Sequence, residues 1–424
     1  MIKRDSYLNR MIHHMWNGEI KVITGIRCCG KSVLLFDLFY EYLLSQGVQV
    51  DHIIKIELDQ RRYYKFRNPI TLCEYVEAFA SEKKDEKFYL FIDEVQLTTK
   101  VIDKENGGIE VSIYDMLNKL KAYKNLDVYV TGSNSKGLSK DIATEFRGRA
   151  TQIHVFPLSF EEFYSHVGGD ERKALDCYML YGGMPRLLAL TDEKDKKDYL
   201  SSLYSKMYVK DIVERNGIER EDILNDILDF LASQISSLTN PTNIANTLTR
   251  MKNERVNSTL ISNYVQHIID SFLISMAKRY DVKGKTYFKY PNKYYYTDIG
   301  LRNARLNYRQ YDPGRIMENI IYNELLRRGY SVDVGVVTDR TGGANVQKEI
   351  DFVVNDADKK IYIQSAFQMD TDKKESSELA SLMLTKDFFK KIIVRMDIPH
   401  NFYDDNGIFY CNLIDLLLGH VELF

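Results

Sequence analysis

Residues 25–32 read Gly25-Ile26-Arg27-Cys28-Cys29-Gly30-Lys31-Ser32 and lead into Val33. They follow the β-rich run IKVIT at 20–24 and open a run of helical spacing at 32–47. Strand, glycine-bearing loop and helix in this order predict a phosphate-binding loop, in which glycines let backbone N–H groups surround phosphate oxygens. We expect residues 25–33 to bind a nucleotide, with Lys31 reaching the β- and γ-phosphates. The alternative is a glycine-rich turn that binds nothing.

Two acidic residues, Asp93 and Glu94, follow the apolar run FYLFI at 88–92. In a parallel sheet this places both carboxylates at the edge where ligands bind. Asp93 and the Ser32 hydroxyl suit the coordination shell of Mg²⁺, whereas Glu94 can polarise an attacking water as a general base. Acidic residues often end strands, so the prediction of a magnesium-dependent hydrolase depends on the neighbouring loop.

The rest of the chain divides into stretches of different periodicity. Apolar runs at 52–59, 87–94 and 126–134 predict further strands of a parallel α/β sheet. Helical spacing follows Phe156, and at 222–305 three helices precede strands around TYFKY and KYYYTD, which we interpret as the hairpin of a winged helix. The predicted domains are an ATPase-type core at 1–158, a helical lid at 159–221, a winged helix at 222–305 and a second α/β unit at 306–424.

Composition excludes several classes of protein. The chain has 424 residues, 58 Lys and Arg against 60 Asp and Glu, and five cysteines. A formal charge of −2 means that affinity for nucleic acid must come from a local patch. Few cysteines and the lack of an apolar run of about 20 residues favour a soluble, cytoplasmic protein that does not contact membranes.

A polar amide, Asn134, follows the predicted strand at 126–130, where it could touch the γ-phosphate or orient water. The chain resembles the AAA+ ATPase superfamily, whose sensor 1 is commonly an Asn or Thr at this place. It is more closely similar to prokaryotic AAA ATPases that combine an archaeal-type core with a nuclease-like C-terminal domain. The resemblance is carried by ITGIRCCGKS, FIDEVQ, TGSNS, FRGRATQIHVFPLSFEEF and YGGMPR.

This resemblance implies ATP as the nucleotide and Mg²⁺ as the metal. It also makes Arg147 or Arg149 a candidate arginine finger and Arg186 a candidate sensor 2. A finger supplied by a neighbouring subunit would make hydrolysis depend on a homo-oligomer. Each arginine could instead be a surface cation that pairs with a carboxylate.

Cys28 and Cys29 are unusual in a phosphate-binding loop. A thiol beside Lys31 and a helix N-terminus is expected to have a lowered pKa and to oxidise readily. A redox switch is one interpretation, and two small side chains that fit the loop are the other.

A basic stretch follows the predicted third helix of the winged helix. Its cations are Lys278, Arg279, Lys283, Lys285, Lys289 and Lys293, and they alternate with Tyr280, Tyr287 and Tyr290. Lysines interleaved with tyrosines suit phosphate contacts and stacking on bases, so we expect DNA as a partner. The alternative is that these lysines face solvent while the tyrosines fill the core.

The last 120 residues resemble PD-(D/E)XK nuclease folds at Glu318, at Glu349-Ile350-Asp351 and at Gln364-Ser365-Ala366. The (D/E)-x-K element has lost its acid and its lysine at Gln364 and Ala366. We therefore expect a restriction-endonuclease-like fold without cleavage. Three functions remain open: an ATPase that acts on DNA, a nucleotide-dependent switch that binds a protein partner, and an ATP-regulated nuclease.

Overall fold

The computed structural model describes residues 2–104, 107–133, 150–339, 345–369 and 372–424. The chain forms two compact units. The first comprises Met1–Pro157 with Asp270–Phe272, and the second comprises Leu158–Ile269 with Leu273–Phe424. Among the helices that the structure describes, none has the length and apolar character needed to cross a bilayer.

The first unit is built on a five-stranded parallel sheet. The strands described in the first unit are β1 (Ile20–Thr24), β2 (Ile53–Glu57), β3 (Phe88–Asp93), β4 (Val101–Asp103), β5 (Ile109–Val111), β6 (Leu126–Gly132) and β7 (Ala150–His154). The order across the sheet is β2-β3-β6-β1-β7, while β4 and β5 form a separate antiparallel pair. Every residue of β1, β3 and β6 is buried, which is typical of a parallel sheet covered on both faces. The predicted parallel α/β sheet is confirmed.

Among the residues that the structure describes, four helices accompany this sheet. They are α1 (Asp5–His13), α2 in three contiguous segments (Lys31–Val33, Leu34–Phe39 and Tyr40–Ser45), α3 (Pro69–Glu82) and α4 (Ile113–Leu120). Asn68 caps α3, and Ser112 with Asp115 forms a capping box that starts α4. Leu72 and Leu117 from these two helices lie in one apolar cluster with Leu90 of β3. The sheet edge that carries the predicted site is therefore held by a packed core.

The second unit begins with helices. They are α5 (Phe160–Val167), α6 (Glu171–Tyr181), α7 in three contiguous segments (Glu193–Ser202, Leu203–Val209 and Lys210–Asn216), α8 (Glu221–Ser233), α9 (Pro241–Lys252) and α10 (Ser258–Asp270). A short 3-10 turn at Pro185–Ala189 lies between α6 and α7. Ser159, Asp170 and Asp192 cap α5, α6 and α7 through side-chain hydrogen bonds. These positions confirm the helical spacing predicted after Phe156.

An eight-stranded mixed sheet forms most of the remainder. The strands described in this unit, eight in the large sheet and two in a separate pair, are β8 (Ile274–Ala277), β9 (Arg279–Asp281), β10 (Thr286–Tyr287), β11 (Lys293–Tyr296), β12 (Ser331–Asp339), β13 (Val346–Asp356), β14 (Lys359–Ala366), β15 (Lys390–Arg395), β16 (Phe402–Tyr403) and β17 (Phe409–Asn412). The helices are α11 (Ile299–Arg305), α12 (Pro313–Arg327), α13 (Asp372–Met383) and α14 (Leu413–Leu417). The large sheet has the order β10-β9-β12-β13-β14-β15-β17-β16, and β8 pairs with β11 separately.

The predicted hairpin between TYFKY and KYYYTD is wrong. β10 pairs with β9, β11 pairs with β8, and β9 joins β12 in the large sheet. Between β10 and β11, Pro291 has no N–H to donate to a ladder. Asn292 N donates instead to Thr239 O at 2.9 Å, so the chain changes its pairing partner there.

Candidate functional site

The loop at 25–30 has a backbone that its glycines make possible. Gly25 has φ +147°, and a Cβ on it would lie 2.1 Å from the carbonyl oxygen of Val155. Cys29 is buried against the same carbonyl, with Sγ 3.3 Å from the oxygen. Gly30 has φ +102° immediately before α2, a left-handed conformation that favours glycine. The loop is therefore held against the segment that follows β7.

Lys31 lies inside the loop. Only 4% of its surface is exposed, and Nζ donates to the carbonyl oxygens of Gly25 and Ile26, both at 3.1 Å. Lys31 is the first residue of α2. The backbone N–H groups in the first turn of a helix have no hydrogen-bond partners within the helix. An ammonium and a helix N-terminus at one place attract an anion such as a phosphate.

Ser32 and Asp93 are brought together from α2 and β3. Ser32 Oγ donates to Asp93 Oδ2 at 2.8 Å, and Thr131 at the end of β6 donates to Asp93 Oδ1. Burial raises the pKa of the Asp93 carboxyl, and these two hydrogen bonds oppose that effect. A hydroxyl and a carboxylate are the hard oxygen ligands that Mg²⁺ prefers. The residues present therefore fit a magnesium ion.

Glu94 stands in a left-handed backbone conformation at φ +53°, directly after β3. Its backbone N–H donates to Thr131 Oγ1 at 3.0 Å. Its Oε2 accepts from Gln96 Nε2 and from Ser133 Oγ, the latter at 3.3 Å. Left-handed conformations of residues other than glycine concentrate at functional sites. Two neighbouring side chains thus orient the carboxylate that the sequence nominates as a general base.

Comparisons with known proteins agree with this geometry. The AAA domain family matches residues 17–164, and a domain of unknown function matches residues 172–312. An uncharacterized protein of Haemophilus influenzae is 34% identical over 426 residues, which cover 99% of each chain. This chain belongs to the same family, and residues 17–164 form an AAA-type P-loop ATPase domain.

This chain is also similar to an archaeal protein and to a solved structure. The uncharacterized protein MJ1544 of Methanocaldococcus jannaschii is 28% identical over 394 residues, which cover 88% of this chain and 80% of that protein. The Walker-type ATPase PABY2304 of Pyrococcus abyssi is 15% identical, with a TM-score of 0.48. The match covers 72% of this chain and 96% of the ATPase chain.

The remaining residues predicted for the nucleotide site lie in different parts of the chain. Asn134, Arg147 and Arg149 lie outside the described residues. Arg186 belongs to the second unit, where it is exposed and its guanidinium lies 5.3 Å from the centroid of the Tyr199 ring. Its observed contact is a cation–π interaction.

The two glycines of YGGMPR have a structural explanation. A Cβ on Gly182 would lie 2.2 Å from Asp298 Oδ1, and Gly183 N donates to Asp298 Oδ2 at 2.7 Å. Asp298 also accepts from Leu301 N at 3.1 Å and caps α11, although burial raises its pKa to about 6. These glycines therefore allow a buried carboxylate to join α6 to α11.

The expected acidity of Cys28 is wrong. Cys28 is exposed on the loop at φ +63°, yet desolvation raises the pKa of its thiol more than Arg27 and Lys31 lower it. Its thiolate is disfavoured rather than stabilised, which removes the premise of a redox switch. Cys29 fills a buried position beside Val155, as the packing interpretation expects.

The basic stretch divides into exposed and buried residues. Its exposed lysines are Lys278, Lys283, Lys285 and Lys289. Arg279 is half-buried, and Tyr280 and Tyr287 form a ring pair 5.1 Å apart. The prediction that Lys293 belongs to this basic surface stretch is wrong, because only 2% of its surface is exposed.

Lys293 lies among the carboxylates that the nuclease resemblance nominates. Its Nζ is 2.8 Å from Glu318 Oε1, 2.7 Å from Glu349 Oε1 and 3.3 Å from Asp351 Oδ1. Burial lowers the pKa of Lys293, but these three carboxylates raise it above its usual range. Burial raises the pKa of Glu318 to about 8 against the opposing effect of Lys293. We call these four residues the Lys293 cluster.

The neighbouring polar residues of β14 complete this arrangement. Ser365 N donates to Asp351 Oδ2 at 2.9 Å, and Gln364 Oε1 accepts from Asp351 N at 3.3 Å. Gln364 Nε2 also donates to Glu378 Oε2 at 2.6 Å. Gln364 therefore links α13 to β13 as an amide, in the position where the resemblance expects an acid.

Sequence reasoning missed Gln96 and the buried role of Lys293. Gln96 could have been found, because it follows Glu94 by two residues in the turn after an apolar strand. Lys293 gave no comparable signal, since its partners lie 25 and 58 residues away at Glu318 and Asp351.

Proposed function

We propose that this protein is a magnesium-dependent ATPase that acts on DNA. One observation supports hydrolysis above all others: the loop lysine, the Ser32–Asp93 pair and the oriented carboxylate of Glu94 converge at the ends of β1, β3 and β6. A protein that binds a nucleotide without hydrolysing it has no need of an oriented carboxylate such as that of Glu94. ATP is preferred over GTP by family resemblance.

Each residue then has a chemical task. Lys31 and the N-terminus of α2 would hold the phosphates, while Ser32 and Asp93 would hold Mg²⁺. Bound Mg²⁺ supplies positive charge that offsets the charge on the phosphate oxygens. Glu94 accepts a proton from the attacking water, and Gln96 with Ser133 keeps its carboxylate in place.

Steady-state ATP hydrolysis with two variants tests this assignment. Lys31→Ala should abolish nucleotide binding, whereas Glu94→Gln should retain binding and lower kcat by about 10²- to 10⁴-fold, the usual contribution of a general base. Lys206→Ala, on an exposed site of α7, serves as the matched control. Equal hydrolysis by all three variants would overturn the site.

DNA binding is supported by the order of elements at 222–305. Three helices, α8, α9 and α10, precede the β8–β11 pair, an arrangement that suits a winged helix with α10 as the recognition helix. Exposed lysines follow it at 278–289. Stimulation of ATP hydrolysis by duplex or single-stranded DNA, with affinity that falls log-linearly as salt rises, would support this function. Hydrolysis that no DNA changes would favour the protein-binding switch.

We also propose that residues 306–424 form a nuclease-like α/β domain that does not cleave DNA. In the Lys293 cluster the Lys293 ammonium pairs with all three carboxylates that the nuclease resemblance nominates as metal ligands, so the residues present do not fit a divalent cation. Incubation of supercoiled plasmid with Mg²⁺ tests the idea, with Asp351→Asn as the control. Cleavage that Asp351→Asn abolishes would establish the ATP-regulated nuclease instead.

We also propose assembly into a homo-oligomer in which Arg147 or Arg149 serves a neighbouring subunit. A complementation experiment tests it. The double variant Arg147→Ala, Arg149→Ala has an intact loop, and Lys31→Ala has both arginines, so mixing two inactive proteins should restore hydrolysis. A mixture that stays inactive while both variants remain folded and associated would contradict an arginine supplied in trans.

A further inference from the structure

A cavity of about 390 Å³ opens beside helix α10 in the second unit. One wall is a single face of that helix, formed by Ser262, Val265, Gln266 and Ile269. The opposite wall is the segment from Tyr287 to Tyr290. We call this the α10 cavity. Its volume falls within the usual range of small-ligand sites, about 300–1,000 Å³.

The charge of the α10 cavity is positive. Lys278 and Lys289 line it and are exposed, and none of the described residues that line it is acidic. Asp333, which accepts a hydrogen bond from Tyr287 outside the lining, lies close enough to Lys278 to interact with it, so the two lysines exceed this carboxylate by one positive charge. A ligand with a negative group at the rim would be attracted there.

Aromatic rings form much of the same wall. Tyr290 is 38% exposed and Tyr287 is 59% exposed, so both offer ring surface to a ligand. Tyr287 is anchored by its hydroxyl, which donates to Asp333 Oδ2 at 2.9 Å. The Arg279 guanidinium lies 5.2 Å from the centroid of the Phe288 ring and supports it. Tyr287 and Phe288 are thus held in place by neighbours, which reduces the entropy lost when a planar ligand stacks on this wall.

Asn292 lines the cavity beside Lys289 and Met276. Asn292 is only 2% exposed, and its Oδ1 accepts no hydrogen bond from any residue that the structure describes. Its Nδ2 is occupied, with Lys289 O at 3.2 Å and Met276 Sδ at 3.3 Å. Asn292 is therefore a fixed part of the cavity wall, held through its Nδ2.

We propose that the α10 cavity binds one unstacked nucleotide of single-stranded DNA. The base stacks on Tyr290 and Phe288, and the flanking phosphates contact Lys278 and Lys289. Every base has a stacking face, so this site recognises an unpaired base without selecting its identity. The inference rests on the proposed action on DNA and makes it specific: the protein engages exposed single strands.

Fluorescence anisotropy with the full-length chain tests this. Three probes of equal length are needed: oligo(dT), the same strand with abasic sites in place of the bases, and a duplex. Oligo(dT) should bind about tenfold more tightly than the abasic strand, because stacking on each base contributes to affinity. Tyr290→Ala should remove that advantage and leave the abasic strand unchanged. Tyr290→Phe should retain it, and Tyr403→Ala, at an exposed tyrosine of β16, is the matched control.

Each other outcome contradicts a definite part of the inference. If the wild-type protein binds duplex and abasic strand as tightly as oligo(dT), the base site is wrong and the action on DNA stands. If it binds none of the three, the proposed action on DNA is itself wrong. If dTMP alone competes at the concentration of oligo(dT) nucleotides, the cavity takes a free nucleotide and not a strand.

Discussion

Gln96 donates its side-chain amide N–H to the carboxylate of Glu94, two residues earlier in the turn that follows β3. The same Glu94 oxygen accepts from Ser133 at the end of β6, so two strands of the sheet contribute to its orientation. A general base contributes fully only when its carboxylate is held within reach of the water it activates. Gln96 is therefore a positioning residue for the proposed hydrolysis.

Replacing Gln96 by leucine should lower kcat about tenfold and leave KM for ATP nearly unchanged, since the lost contact orients the base and does not touch ATP. Gln96→Glu should lose at least as much, because it replaces the N–H donor with a second carboxylate. Steady-state kinetics with saturating Mg²⁺ distinguish these effects. A rise in KM with unaltered kcat would assign Gln96 to nucleotide binding instead.

Replacing Ser32 by alanine should raise the Mg²⁺ concentration needed for half-maximal hydrolysis, by about tenfold. The hydroxyl at 2.8 Å from Asp93 Oδ2 is one of the two oxygen ligands that the structure offers to the ion. Ser32→Thr keeps the hydroxyl and should behave like the wild type. Magnesium titrations at fixed ATP measure the shift, and equal midpoints for Ser32→Ala and Ser32→Thr would contradict a metal ligand at Ser32.

Replacing Lys293 by methionine should destabilise the second unit by about 3 kcal/mol, because it leaves the buried Asp351 and the largely buried Glu318 without their cation. Adding Glu318→Gln should recover part of the loss by removing one ionisable group. Lys283→Ala, at an exposed lysine, should change stability by less than about 0.5 kcal/mol. Denaturant unfolding compares the three variants, and full stability in Lys293→Met would contradict the structural role.

Lowering the pH should destabilise the first unit through His154. Burial lowers the pKa of this histidine from 6.5 to about 4, so the unfolded chain binds a proton that the folded chain does not. The stability contributed is complete above pH 6.5 and is lost as pH falls to about 4, a change of about 3 kcal/mol.

Unfolding free energies of wild type and His154→Gln between pH 7 and pH 4.5 measure the effect. The glutamine cannot take up the proton and should remove this part of the pH slope, while its side chain can still reach Thr24 Oγ1, which lies 3.1 Å from His154 Nδ1. If the unfolding free energies of the two proteins change with pH in parallel, titratable groups other than His154 cause the pH dependence.

The sequence alone predicted the candidate nucleotide site and four of the five strands of the first sheet. The loop at 25–32 and the pair Asp93–Glu94 consist of consecutive residues, and each follows an apolar strand. Chain connectivity and strand direction then decide where the side chains lie, because the carboxyl ends of parallel strands share one edge. The helices after Phe156 were likewise readable from local spacing.

The tertiary structure alone decided the second unit's pairing and charges. Lys293 reads as one more lysine in a basic stretch, yet its strand pairs with β8 and carries it to Glu318 and Asp351. Tyr290 and Asn292 likewise become parts of one cavity only because α10 packs opposite them. Burial and ion pairing depend on residues that are remote in the chain, and spacing along a sequence reports only near neighbours.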